Sequence, residues 1–231
     1  MPLKPESQLI WSPTVVNSRM NRSRNASGVN SYEKEFGFRP EDFLMSVLQS
    51  RGTASWLDLC CGHGKALLQV KHYFDKQHLG DRLHLKGIDL VDTFDSYDQN
   101  APGLTFEVNS LITWKPDTSY DLITCVHGLH YVGDKVFVIE KAAKALSPTG
   151  LFIANLDDQH IVVEGVQSKS YLKKMFAQHG FEFNPRRKIL KRVGAREIHF
   201  GLQYQGADDE VGPNYTGQEA VASYYMLSPT E

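Results

Sequence analysis

The chain has 231 residues with 25 Lys and Arg against 27 Asp and Glu, a net charge of -2, so it lacks the basic excess that a broad nucleic-acid surface needs. This length suits one α/β domain, or one domain with a small cap, and buries a core without staples. Three cysteines with no paired Cys-x-x-Cys exclude a zinc ribbon, and no apolar run of about eighteen residues suggests a membrane helix.

The first thirty residues are polar and include Asn17-Ser18-Arg19-Met20-Asn21-Arg22. They read as a loop that orders on ligand binding, with Arg22 pairing to a carboxylate, or as a frayed leader. Two helical pieces follow, Ser31 to Phe38 and Arg39 to Leu48, with Pro40 in the first turn of the second.

Ser55 to Cys60 is an apolar run that stops in Cys61-Gly62-His63-Gly64, and Lys65 to Val70 opens a helix. A strand, a glycine turn and a helix N-terminus make a seat for a nucleotide-sized ligand. The dinucleotide fingerprint would need a third glycine at position 67, where Leu67 stands.

Leu83 to Asp89 reads as a second parallel strand whose terminal acid is placed to accept from two ribose hydroxyls. Leu104 to Leu111 is a third strand ending in Asn109-Ser110. Tyr120 to Cys125 is a fourth, and His127, His130 and Tyr131 follow it at the edge where parallel sheets bind ligands. Ala145 to Asn155, with Ser147-Pro148-Thr149-Gly150 as a turn, leads into a fifth.

Ser168 to His179 is an amphipathic helix closed by Gly180. A sixth strand is expected from Phe181 through Ile189 and a seventh, antiparallel, over Glu197 to Tyr204, joined by a turn near Gly194. Ala220 to Met226 is expected as a short helix.

These signposts, in this order, resemble the class I S-adenosylmethionine-dependent methyltransferases, whose first motif usually reads hydrophobic-Leu-Asp-Leu-Gly-Cys-Gly-x-Gly. The resemblance spans residues 55 to 155 and departs at Cys60, at Asn109-Ser110 and at Thr149, where that family usually has glycine, Gly-Asp and glycine. It implies a Rossmann-like seven-stranded α/β sheet, mostly parallel with an antiparallel last strand, and helices on both faces. The implied layout is a polar N-terminal segment and helical cap at 1–50, a core at 51–204 and a C-terminal tail at 205–231 that can join the cap.

The resemblance further implies S-adenosylmethionine as cofactor, held by Asp58, Cys60, Gly62, Gly64, Asp89, Leu90, Asn109, Ser110 and Leu111. Asp58 would face the ammonium, directly or through water, and Asp89 the ribose. His130 is the preferred general base, with His127 lining the cofactor. Tyr131, Asp157, Asp158 and Arg22 are candidate acceptor contacts, although the two acids equally suit a helix cap. The expected activity is methyl transfer to oxygen or nitrogen of a small molecule by a cytoplasmic enzyme without metal, nucleic acid or membrane partner. A protein or peptide side chain as acceptor, or a non-catalytic cofactor-binding subunit, are the alternatives.

Overall fold

The computed structural model describes residues 2–16, 23–100 and 102–229. Strands β1 (Ala54–Leu59), β2 (Leu83–Asp89), β3 (Leu104–Val108), β4 (Tyr120–Cys125) and β5 (Leu146–Asn155) lie parallel to one another. Strand β6 (Ile161–Val163) belongs to a second, smaller sheet, whereas β7 (Glu182–Asn184) and β8 (Ile189–Val193) complete the first. The order of the large sheet is β3-β2-β1-β4-β5-β8-β7, with β8 antiparallel to both of its neighbours. This is the Rossmann-like seven-stranded arrangement that the motifs imply.

The central strands are buried on both faces, β4 at every residue, which is why they read as continuous apolar runs rather than alternating ones. Helices α4 (Pro40–Arg51) and α5 (Lys65–Asp75) cover one face through Leu44, Leu48, Leu67, Val70 and Phe74. On the other face α6 (Lys135–Lys144) and α7 (Ser168–Gln178) bury Val136, Ile139, Leu172 and Phe176. Pro40 occupies the first turn of α4, and Gly52 closes it with φ 82°, as the proline-start, glycine-stop asymmetry requires.

The chain end corrects the expected hairpin. Residues 181 to 189 are not one strand: Asn184 Oδ1 accepts from the N–H groups of Arg186 and Arg187, and the turn they close separates β7 from β8. That hairpin alone supplies the sixth and seventh strands. Residues 197–200 form no strand; Ile198 and Phe200 are buried in the main core. Instead β9 (Leu202–Asp208) pairs with β10 (Ala222–Leu227), the segment expected as a helix, and β10 pairs with β6.

This small sheet holds the N-terminus. Lys4 makes a two-way backbone bridge to Ala207, at 2.8 and 3.0 Å. The bridge presents the short helices α1 (Glu6–Leu9) and α2 (Pro13–Val16), while α3 (Tyr32–Phe36), capped by Ser31 Oγ at the N–H of Lys34, docks near β1.

Candidate active site

The strand order reverses between β1 and β4, and there the sheet opens a crevice at the carboxyl ends of its strands. A cavity in it is walled by Cys60 and Gly62 after β1, Asp89, Leu90 and Val91 at the end of β2, and Asn109, Ser110 and Leu111 after β3. His127, Gly128, Tyr131 and Val132 close it from β4, and Glu6, Leu9, Ile10 and Val15 from the N-terminal segment.

The turn after β1 shows why its residues are chosen. Cys60 sits at φ 56° and Gly62 at φ 60°, both in the left-handed region. A glycine meets that demand freely, whereas the cysteine carries a cost of roughly 1–2 kcal/mol. Gly64, at φ 74°, is instead needed for packing, because a Cβ there would lie 2.3 Å from the Phe106 ring. It starts α5 and does not line the cavity.

Asp89 stands in the wall with its carboxylate fixed by two backbone donors, the N–H of Gly62 at 2.8 Å to Oδ2 and that of Val91 at 3.2 Å to Oδ1. A carboxylate is an acceptor with about four lone-pair sites, the form that suits a pair of hydroxyl donors. Asn109 is held by Glu107 and Thr113, with its amide donating to Glu107 Oε1 and its carbonyl accepting from Thr113.

Asp58 lies beneath the cavity rather than in its wall. Its side chain is fully buried, accepting from Tyr32 Oη at 2.7 Å and from Thr124 Oγ1 at 2.6 Å. Trp56 Nε1 completes the chain by donating to Thr124 Oγ1 at 2.8 Å. Burial pushes the Asp58 carboxyl up to about 7 against the pull of these two hydroxyls, and the nearby Asp89 adds to the rise. The carboxylate therefore ties α3 to β1 and β4.

The two histidines divide differently from the sequence reading. His130 is buried outside the cavity lining, with Nε2 unpartnered, and burial lowers its pKa to about 3. His127 lines the cavity in a left-handed turn at φ 57°, and its N–H donates to Asn155 Oδ1. Its Nε2 lies 3.1 Å from Glu35 Oε1, and its Nδ1 lies 3.4 Å from Tyr215 Oη. The bond to His127 holds the Glu35 carboxyl below its ordinary range, with Arg24 Nη1 at 2.7 Å contributing. An ionised carboxylate only accepts, so Nε2 carries the proton and Nδ1 offers a lone pair.

Asp157 and Asp158 are engaged away from the cavity. Lys188 Nζ pairs with both, at 3.0 and 2.5 Å, and Asp157 Oδ2 accepts the N–H of Tyr215. That last bond fixes the loop that brings the Tyr215 hydroxyl to His127. Tyr131 is in the wall, and Arg22 lies outside the described residues. Glu6, Glu35 and Tyr215 escaped the sequence reading: each sits in a polar segment and reaches the site only through contacts distant in sequence. No group of three metal-ligating side chains occurs among the described residues.

A family model described as a methyltransferase domain matches residues 39–196, more than half of the chain. The chain belongs to the class I methyltransferase-domain family. No curated protein matches the methyltransferase by sequence. Among solved structures it is similar to CalS10, an S-adenosylmethionine-bound amino pentose methyltransferase from Micromonospora echinaspora. That pair is 19% identical over 49% of this chain and 48% of the other, with a TM-score of 0.38. Coclaurine N-methyltransferase, bound to N-methylheliamine and S-adenosylhomocysteine, is 17% identical over 67% and 45% of the two chains, TM-score 0.41. The N-methyltransferase NodS from Bradyrhizobium japonicum WM9, with S-adenosylhomocysteine, is 12% identical over 80% and 100%, TM-score 0.43. The methyltransferase thus spans about half the length of the first two.

S-adenosylmethionine is the cofactor of this family, and the donor set suits it. A carboxylate in the wall at Asp89 matches a vicinal diol, the apolar Leu90, Val91 and Leu111 suit the faces of a planar base, and the turn at Cys60 and Gly62 adjoins them.

Proposed function

We propose that the chain transfers the methyl group of S-adenosylmethionine to a small-molecule acceptor, with His127 as general base. When bound, that cofactor supplies a methyl activated by its sulfonium leaving group. Asp89 would hold the ribose hydroxyls, Leu90, Val91 and Leu111 would enclose the adenine, with Asn109 and Ser110 at its edge, and Cys60 and Gly62 would border the amino-acid end. What remains for the protein is alignment of nucleophile, methyl and sulfur, and the exclusion of water.

The observation that carries the reading is that Asp89 and His127 face one cavity from the ends of β2 and β4, the strands on either side of β1. Glu35 keeps the His127 proton on Nε2 and turns Nδ1 toward the position now marked by Tyr215 Oη. An acceptor hydroxyl or amine that displaces the Tyr215 hydroxyl from Nδ1 loses its proton there as it attacks. Enclosure by α1, α2 and the Tyr215 loop supports a small acceptor rather than a polypeptide.

The test is calorimetric binding of S-adenosylhomocysteine to the wild type and to Asp89→Ala. Loss of the paired hydrogen bonds to a charged group should weaken binding by about 10- to 100-fold. Equal affinity in the two proteins would sink the proposal.

A further inference from the structure

One carboxylate in the cavity wall is not used by the methyl-transfer chemistry. Glu6 of α1 lines the cavity, and its Oε2 is buried without a hydrogen-bond partner. Tyr204 of β9 presents a second such atom, its Oη. Both oxygens converge on the loop that follows β4. A Cβ added at Gly133 would lie 2.2 Å from Glu6 Oε2 and 2.6 Å from Tyr204 Oη.

The neighbouring cation makes no hydrogen bond to Glu6. Lys135 Nζ is fully buried and donates to the carbonyls of Val132 and Val221 and to Ser223 Oγ, each at 2.8 Å. An ammonium has three protons, and all three are committed. Asp134 is likewise occupied, accepting from the N–H of Phe137 and from Tyr225 Oη, both at 3.1 Å. Around Gly133 two carboxyls thus stand beside one amine whose hydrogen bonds are all made to other groups. Burial, reinforced by Asp134, pushes Glu6 up to about 7, as expected of an acid that lacks its counter-ion.

The position of Glu6 assigns it to the acceptor rather than to the cofactor. α1 is strapped to β9 through Lys4 and Ala207, and Glu6 acts electrostatically on Lys135, which also feels Asp157 at the β5 end. Asp89 and Asn109 close the cavity from β2 and β3, on the other side of the strand-order reversal.

We propose that Glu6, with Tyr204 Oη beside it, receives a protonated amino group of the methyl acceptor, a binding contact separate from the nucleophile that His127 deprotonates, which makes amine-bearing small molecules the acceptor class. This rests on the methyl-transfer reading above. An ammonium gives Oε2 the charge-assisted bond it lacks. A hydroxyl of the same shape leaves the charge unpaired, and sites built this way discriminate strongly against it.

The experiment uses the full chain saturated with S-adenosylhomocysteine and matched pairs of probes: n-butylamine and n-butanol, 2-phenylethylamine and 2-phenylethanol, glucosamine and glucose. Calorimetry and thermal shift should show at least one amine binding about 10-fold or more tighter than its hydroxyl partner. Glu6→Gln should erase that preference and leave the affinity for S-adenosylhomocysteine unchanged, and Tyr204→Phe should reduce it by about 3-fold. The inference is overturned if no amine exceeds its partner or if the preference survives Glu6→Gln. It is equally overturned if Glu6→Gln weakens S-adenosylhomocysteine itself, since the carboxylate would then serve the cofactor. Failure of the wild type to bind S-adenosylhomocysteine is a separate result and defeats the methyl-transfer reading instead.

Discussion

Asp58 offers a sharp test of the electrostatics beneath the site. Its carboxyl is fully buried and its pKa is raised from 3.8 to about 7, so over that interval the folded chain keeps a proton that the unfolded chain has released. Stability contributed by this group is therefore greatest below pH 3.8, falls as pH rises through about 7 and is flat above it. At about 1.4 kcal/mol per unit, the whole interval is worth about 4 kcal/mol. Asp58→Asn removes the titration while keeping the shape; its amide oxygen accepts from one hydroxyl and its amide nitrogen donates to the other, since both Tyr32 and Thr124 can rotate to suit. Urea unfolding of both proteins from about pH 5 to about pH 8 should show the variant gaining about 3 kcal/mol relative to the wild type, with unchanged slopes. Other titrating groups cancel in the difference. Parallel stability curves would mean that Asp58 is ionised throughout, and that Tyr32 and Thr124 outweigh its burial.

Three further outcomes follow from the site and the turn. His127→Ala should lower kcat by about 10²- to 10⁴-fold in a methyl-transfer assay with little change in S-adenosylhomocysteine affinity. Glu35→Gln, which removes the charge that faces both His127 and Arg24, should lower kcat on the order of 10-fold and shift the pH–rate profile; an unmoved profile would leave Glu35 a structural residue. Gly64→Ala forces a left-handed alanine against the Phe106 ring at 2.3 Å, and should cost about 2–4 kcal/mol in urea unfolding. A loss below about 0.5 kcal/mol would show that Phe106 moves aside freely.

The parallel core was legible because its central strands are buried on both faces and because β1 runs into Gly62 and β2 ends at Asp89 on the ligand edge. Leu57-Asp58-Leu59 running into Cys61-Gly62 and Leu85 to Asp89 are local patterns, and the sheet places both as read. The later strands misled for a local reason as well. Phe181 to Ile189 looked continuous although Asn184-Pro185 is a turn signal, and the left-handed Lys188 completes the reversal. Glu197 to Phe200 alternates because Ile198 and Phe200 enter the core, yet no neighbouring strand pairs with it. Periodicity reports which side chains are buried, and a ladder needs a partner as well.

The same distinction divides the site. Asp89, Gly62 and Cys60 lie within the strand-turn pattern, so their places at the ligand edge could be read locally. Glu35 lies 92 residues from His127, and Tyr215 lies 88 residues from it on the other side. Glu6 and Tyr204 meet only because Lys4 pairs with Ala207. The local pattern of each of these segments gives at most a helix or a strand, and the partner that brings its acid or phenol to the site is distant in sequence. The parts that would hold the cofactor, and the base His127, thus sit at the strand ends of the core, whereas the groups that would choose the acceptor and orient that base come from segments docked on it. Substitutions in α1 or the Tyr215 loop should accordingly change the acceptor preference without disturbing the sheet, because the contacts they break are side-chain contacts at its ligand edge and none belongs to its ladder.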